Sequence, residues 1–193
     1  MNLKKIALIS LLSSLGLSGQ AHAQLAADLN LSNDALRFGV SKENNFAGES
    51  QILGVDVLHT NKNGNLISGF GSVARLGFEA APNLDVGLKG KAYYLQPNSG
   101  TDDGYGAMLG GFARYWIQTE APVAVTAEYL IGPSVLSGGK IESASEINLR
   151  AEVQVLPTAI AYIGYRKIEM TMPGMTYNFD DGAHIGIKLA FDL

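Results

Sequence analysis

The chain has 193 residues, a formal charge of −4, no cysteine and only 17% charged residues, and these values exclude several classes. No disulfide framework or lipid-modified N-terminal cysteine can be built. The acidic balance offers nucleic acid no cluster of cations, and beyond the N-terminus no window supplies the roughly 20 uninterrupted apolar residues of a membrane helix.

The first element is a targeting segment. Met1 to Lys5 is basic, Ile6 to Leu17 is apolar but too short to span a membrane, and Ala21-His22-Ala23 carries the small residues signal peptidase requires. Residues 1–23 read as a signal peptide and 24–193 as one barrel domain. Cleavage before Gln24 removes Lys4 and Lys5 from the 14 basic residues and leaves 12 against 18 acidic ones. The 23 glycines and the low charge, against about 25% in ordinary soluble domains, suit strands that bend closely past one another behind a wall solvated by lipid.

The mature chain then reads as strands of period two. A first strand in Gln24 to Ser32 turns at Asn33-Asp34, and weaker alternation follows at Leu36 to Val40, Leu53 to Val57 and Phe70 to Phe78. Leu84, Val86, Leu88, Ala92 and Tyr94 alternate with Asp85, Lys89 and Lys91; Tyr105 to Tyr115 is blurred by glycine. Val123, Val125, Ala127, Tyr129 and Ile131 oppose Thr126 and Glu128. The clearest segment is Glu146 to Val155, where Ile147, Leu149, Ala151, Val153 and Val155 share one face, and Glu146, Asn148, Arg150, Glu152 and Gln154 the other. No helix sorts residues in this way. Ala159 to Tyr165 follows, and Ile185, Ile187, Leu189, Phe191 and Leu193 close the chain at every second position.

Between the strands, short connections (Ala80 to Asn83, Gln118 to Pro122, Leu156 to Thr158) alternate with longer polar ones (Gln96 to Asp103, Pro133 to Ala144, Thr171 to Asp181). That asymmetry is the one expected of periplasmic turns and extracellular loops. The fold expected is therefore all-β, an antiparallel transmembrane β-barrel of 8–10 strands. Ten result if Gln24 to Ser32 is a strand, eight if the N-terminal segments merge.

Several strings carry a family resemblance. Asn33 to Phe38, Leu58-His59-Thr60, Gly90 to Leu95, Val153 to Pro157, Tyr162 to Arg166 and His184-Ile185-Gly186 resemble the YfaZ family of small Gram-negative outer-membrane proteins, over essentially the whole mature chain. The resemblance implies an outer-membrane location. It brings no established activity or catalytic motif.

Chemistry is confined to the inward face. Lys89, Lys91, Arg114, Glu128, Arg150, Glu152 and Arg166 all project into a lumen that eight to ten strands make just wide enough to be filled by side chains. Charges in so dry a space must pair, so a salt-bridge plug is expected; a selectivity path for a solute or ion is the alternative, and a lipid-modifying enzyme a more remote one. His184 is the inward histidine and His59 faces outward, with no serine near His184 to serve as a nucleophile. Tyr93, Tyr94, Tyr105, Tyr115, Tyr129, Tyr162 and Tyr165 gather toward strand ends, as an interfacial girdle would. The pairs Asp102-Asp103 and Asp180-Asp181 read as solvated loop ends or as contacts for a divalent cation.

The expectation is thus a Gram-negative outer-membrane barrel with a structural or surface-interaction role, with no catalysis, cofactor or metal. Its partners are outer-membrane lipid, lipopolysaccharide and, through the C-terminal strand, the barrel-assembly machinery. A soluble periplasmic barrel, with its apolar face turned inward, shares the periodicity.

Overall fold

The computed structural model describes residues 22–98 and 103–192. Its strands are β1 (His22–Ser32), β2 (Ala35–Phe46), β3 (Glu49–Thr60), β4 (Gly64–Arg75), β5 (Leu84–Gln96), β6 (Gly104–Ile117), β7 (Val123–Gly132), β8 (Ser137–Gly139), β9 (Ser143–Leu156), β10 (Ala159–Met172) and β11 (Met175–Asp192). Chain neighbours pair antiparallel, β7 pairs β9, and β1 pairs β11 from Gln24↔Asp192 to Ser32↔His184. Ten strands therefore close into a barrel, and three-residue β8 adds only to the end of β6. Closure leaves no row of unpaired backbone groups along either long edge, which hydrocarbon would penalise heavily.

An even number of strands brings both termini to one end, here called the termini end, where the connections are 47–48, 76–83, 118–122 and 157–158. The opposite, loop end carries 33–34, 61–63, 97–103, 133–142 and 173–174. Two expected boundaries change. The segment Thr171 to Asp181 is not a loop: β10 and β11 run on to Met172↔Met175 and turn through Pro173-Gly174, with Gly174 at φ +80° supplying the left-handed residue such a turn needs. The strand expected at Phe70 to Phe78 is shifted, since β4 ends at Arg75 and Phe78 instead bridges to Ala81 in the following connection.

The faces sort sharply. Leu29, Leu31, Phe38, Leu53, Val55, Val57, Leu88, Leu109, Val125, Leu149, Ile163 and Ile185 stand exposed on the outside. Asp56, Lys91, Thr126, Glu128, Glu146, Asn148, Glu152 and Arg166 are buried within. Outward charges such as Glu49, Arg75, Lys167 and Asp181 sit toward strand ends, leaving an apolar band between. Such a band of uncovered aliphatic residues inverts a water-soluble barrel and matches one solvated by lipid.

Glycines let aromatic side chains lie flat inside this narrow wall. Gly186 is opposite Tyr162 and Gly54 opposite Phe70 across their ladders; an added Cβ would sit 2.3 Å and 2.6 Å from the respective rings. Here the absent side chain is what makes room for the ring.

Candidate functional site: the barrel lumen

The lumen has three levels, set by how far each inward residue lies along its strand. At the loop end, the last inward positions of most strands are apolar. Leu58, Leu66, Tyr93, Leu95, Met108, Leu130, Ile168, Met170 and Phe179 pack with Ile141 from the β8–β9 connection into one buried cluster. Leu66, Leu95, Met108, Leu130, Ile168 and Met170 are 0% exposed. Fully burying each such aliphatic side chain contributes roughly 1.5–3 kcal/mol, so this layer is an apolar plug, not a lining.

Below the plug lies the charged level. Lys89 Nζ reaches Glu128 at 2.8 Å across β6, whose Gly110, opposite Lys89 in the ladder, puts no side chain in the way. Lys91 pairs with Glu146 at 2.7 Å and Arg166 with Asp180 at 2.6 Å, all four nearly inaccessible. Arg166 also donates to Asn30 Oδ1 at 3.1 Å. Arg37 meets Asp56 at 3.0 Å. Removing one member of such a pair strands a buried charge, which is far costlier than replacing both.

Toward the termini end the packing opens into a cavity of about 130 Å³, bordered by Arg114, Arg150, Glu152, Asp28, Glu43 and Tyr162 among others. Arg114 and Arg150 both approach Glu152, through Nε at 3.5 Å and 3.3 Å. Lys188 and Glu43 pair near the rim at 3.2 Å.

All seven charged residues singled out from the sequence face the lumen, but they do not form one cluster. Lys89–Glu128 and the Arg114–Glu152–Arg150 triad join residues of that set. Lys91 and Arg166 find their partners outside it, in Glu146 and Asp180. Asp180, expected at a loop end, is buried because β11 begins earlier than expected and turns it inward. Asp181 is exposed and accepts from Tyr165 and Asn178. Asp103 accepts from Tyr94, and Asp102 lies outside the described residues.

Sequence reasoning missed Arg37, Glu43 and Asp56, which sit where alternation is weak, and Lys188, whose strand alternates clearly but whose partner Glu43 lies 145 residues away. It also missed the plug, although a signal existed: at the loop ends both faces become apolar, as in Val57-Leu58, Leu66-Ile67, Met108-Leu109 and Leu130-Ile131. Doubled apolar residues at one end of successive strands mark a dry layer inside a barrel.

The tyrosines divide. Tyr94, Tyr105, Tyr115, Tyr129 and Tyr165 are exposed on the outer wall, whereas Tyr93 and Tyr162 are buried in the lumen and belong to no girdle. His59 faces outward beside Asn65. His184 is buried, edge-on to Tyr162 at 5.9 Å between ring centroids. Opposite it in the ladder, Ser32 exchanges hydrogen bonds with the Ala35 backbone, so that hydroxyl is engaged in a turn and not with the histidine. No group of three or more His, Cys, Asp or Glu suited to a metal ion occurs among the described residues.

A family model described as YfaZ precursor matches residues 3–191. The chain belongs to the YfaZ family. The match takes in nearly all of this YfaZ barrel. No curated protein matches it. Among solved structures it is similar to a NanC porin (12% identity, 89% of this chain and 100% of that one, TM-score 0.41) and to a bacterial polysaccharide outer-membrane secretin (7% identity, 88% and 69%, TM-score 0.43).

Proposed function

We propose that this YfaZ-family protein is a non-conducting barrel of the Gram-negative outer membrane with a structural or surface-interaction role. Its apolar band sits in the hydrocarbon, its termini lie in the periplasm, and the connections of its loop end, 97–103 and 133–142 among them, are displayed outside among lipopolysaccharide. The C-terminal strand β11, which must find β1 to close the barrel, is the element we assign to recognition by the barrel-assembly machinery.

One observation carries the reading: the apolar layer at the loop end, in which six aliphatic side chains are 0% exposed. An ion crossing it would shed its hydration among groups that offer no replacement. The Lys91–Glu146 and Arg166–Asp180 pairs add a second closed layer beneath. Barrels with open aqueous channels are wider, with about 16 strands.

Purified protein in planar lipid bilayers checks this. The expected record is flat, with no steady current at moderate voltage. A sustained, charge-selective current would replace this reading with that of a narrow channel.

A further inference from the structure

The cavity at the termini end holds an arrangement that closing the barrel does not require. Glu152, only 4% exposed, is shared by two arginines, and both approach it through Nε, at 3.5 Å from Arg114 and 3.3 Å from Arg150. Thr126 reinforces the carboxylate: its hydroxyl accepts from Arg114 Nε at 3.2 Å and donates to Glu152 at 3.0 Å. Each guanidinium is also laid against an aromatic ring, Arg114 over Trp116 at 5.7 Å and Arg150 over Tyr162 at 5.3 Å. Tyr162 is itself fixed by donating to Asp28 at 2.6 Å. At its inner edge Arg114 is thus held by a hydrogen bond from Nε and by a ring, whereas Arg150 is held by its ring and by ion-pair contact alone, its buried Nε making no hydrogen bond.

The outer edges are the consequence. Among the described residues the terminal nitrogens of Arg114 and Arg150 find no hydrogen-bond partner, and both side chains border the cavity, 23% and 20% exposed. At Glu152 two guanidinium groups face one carboxylate, while Lys188 offsets Glu43 across the cavity and Asp28 and Asp85 accept from Tyr162 and Trp116, so unused donors, not an excess of positive charge, are what the cavity offers a ligand. A planar fork of donors matches a planar carboxylate. The volume, about 130 Å³, is several times the roughly 10–15 Å³ one water needs. Asp28 and Asp85 on the same wall oppose a second negative charge, Glu43 being offset by Lys188.

The geometry points to a binding site for a small monoanionic carboxylate in this cavity, held by the terminal nitrogens of Arg114 and Arg150. The site is blind, since the plug closes the lumen above it. It stands apart from the question of conductance and is tested without a membrane potential.

Trp116, the sole tryptophan of the sequence, lies against Arg114 and reports occupancy by its fluorescence. The folded full-length barrel in detergent is titrated with sodium acetate, with sodium chloride at matched ionic strength and, separately, with inorganic phosphate. The expected result is a saturable acetate response that chloride does not reproduce and that phosphate matches only at higher concentration. Arg114→Gln and Arg150→Gln are each expected to weaken the acetate response at least roughly tenfold, the loss of a charge-assisted hydrogen bond. Arg75→Gln, on the outer wall, leaves it unchanged. Should Arg150→Gln fail to fold, Arg114→Gln and the native acetate–phosphate comparison decide. No saturable acetate response, tighter binding of phosphate, or a response indifferent to both arginines overturns the assignment.

Discussion

Ala47 has φ 49° and Gly48 φ 79°, so the β2–β3 hairpin turns through two left-handed residues. That pair is the geometry a tight hairpin favours, but an L-residue with a Cβ holds it at a cost of roughly 1–2 kcal/mol. Ala47→Gly removes the clash and returns part of the gain as extra freedom of the unfolded chain. The expected net effect is a stabilisation of up to about 1 kcal/mol, read as a shifted urea midpoint in lipid refolding with unchanged slope. A destabilised variant would mean that the turn has another conformation. At Leu149, in the middle of β9 and 47% exposed on the outer wall, the environment is opposite in kind. Leu149→Arg places a charge in hydrocarbon and should cost about 2–4 kcal/mol in the same assay. Ser41→Arg, which enters the open cavity, should cost less. Equal costs would deny the two faces their different solvents.

Strands tolerate change according to what they close. β11 carries the seam, and its last described pairs with β1 are Leu25↔Phe191 and Gln24↔Asp192. Deleting Phe191 to Leu193 opens the ladder at the termini end and removes the outward aromatic that ends the strand. Loss of protease-resistant protein from the outer-membrane fraction is the expected outcome; normal levels of folded, truncated barrel would contradict it. The same elements explain what the sequence could and could not disclose. The outer face of β9 was legible because lipid makes one demand of every outward residue, and Ile147, Leu149, Ala151, Val153 and Val155 answer it without reference to any other strand. The partners inside were not. Lys91 meets Glu146 from 55 residues away, and which carboxylate it reaches depends on stagger accumulated over three ladders, β5–β6, β6–β7 and β7–β9, a quantity no single strand contains. The extension of β10 and β11 past the apolar band was hidden for a different reason: there the alternation reverses, with Ile168, Met170, Tyr177 and Phe179 turned inward to the plug and polar residues such as Asn178 and Asp181 turned out. In that region the turn chemistry of Pro173-Gly174 was the better guide.

At the scale of the whole barrel, two layers compete as the explanation for a closed lumen, and they differ in how they respond to substitution. A plug of apolar side chains draws its stability from contact, so Leu130→Ala, at a site with 0% exposure, should leave a cavity and cost about 2–5 kcal/mol. A buried ion pair is different. Its attraction is largely offset by the desolvation of both partners, and replacing both with apolar groups of similar volume is often neutral or stabilising by about 1–4 kcal/mol, whereas deleting one is strongly destabilising. Lys91 and Glu146, 2% and 1% exposed and 2.7 Å apart, are such a pair. Lys91→Met combined with Glu146→Leu should therefore fold as well as the native chain and remain non-conducting in planar bilayers, while Lys91→Met alone loses about 3–5 kcal/mol. This pattern would assign the seal to the apolar layer and leave the ion pairs the task of fixing register. If the double replacement instead opens a steady current, the charged layer is the gate, and the apolar cluster above it merely caps a vestibule that ions already reach.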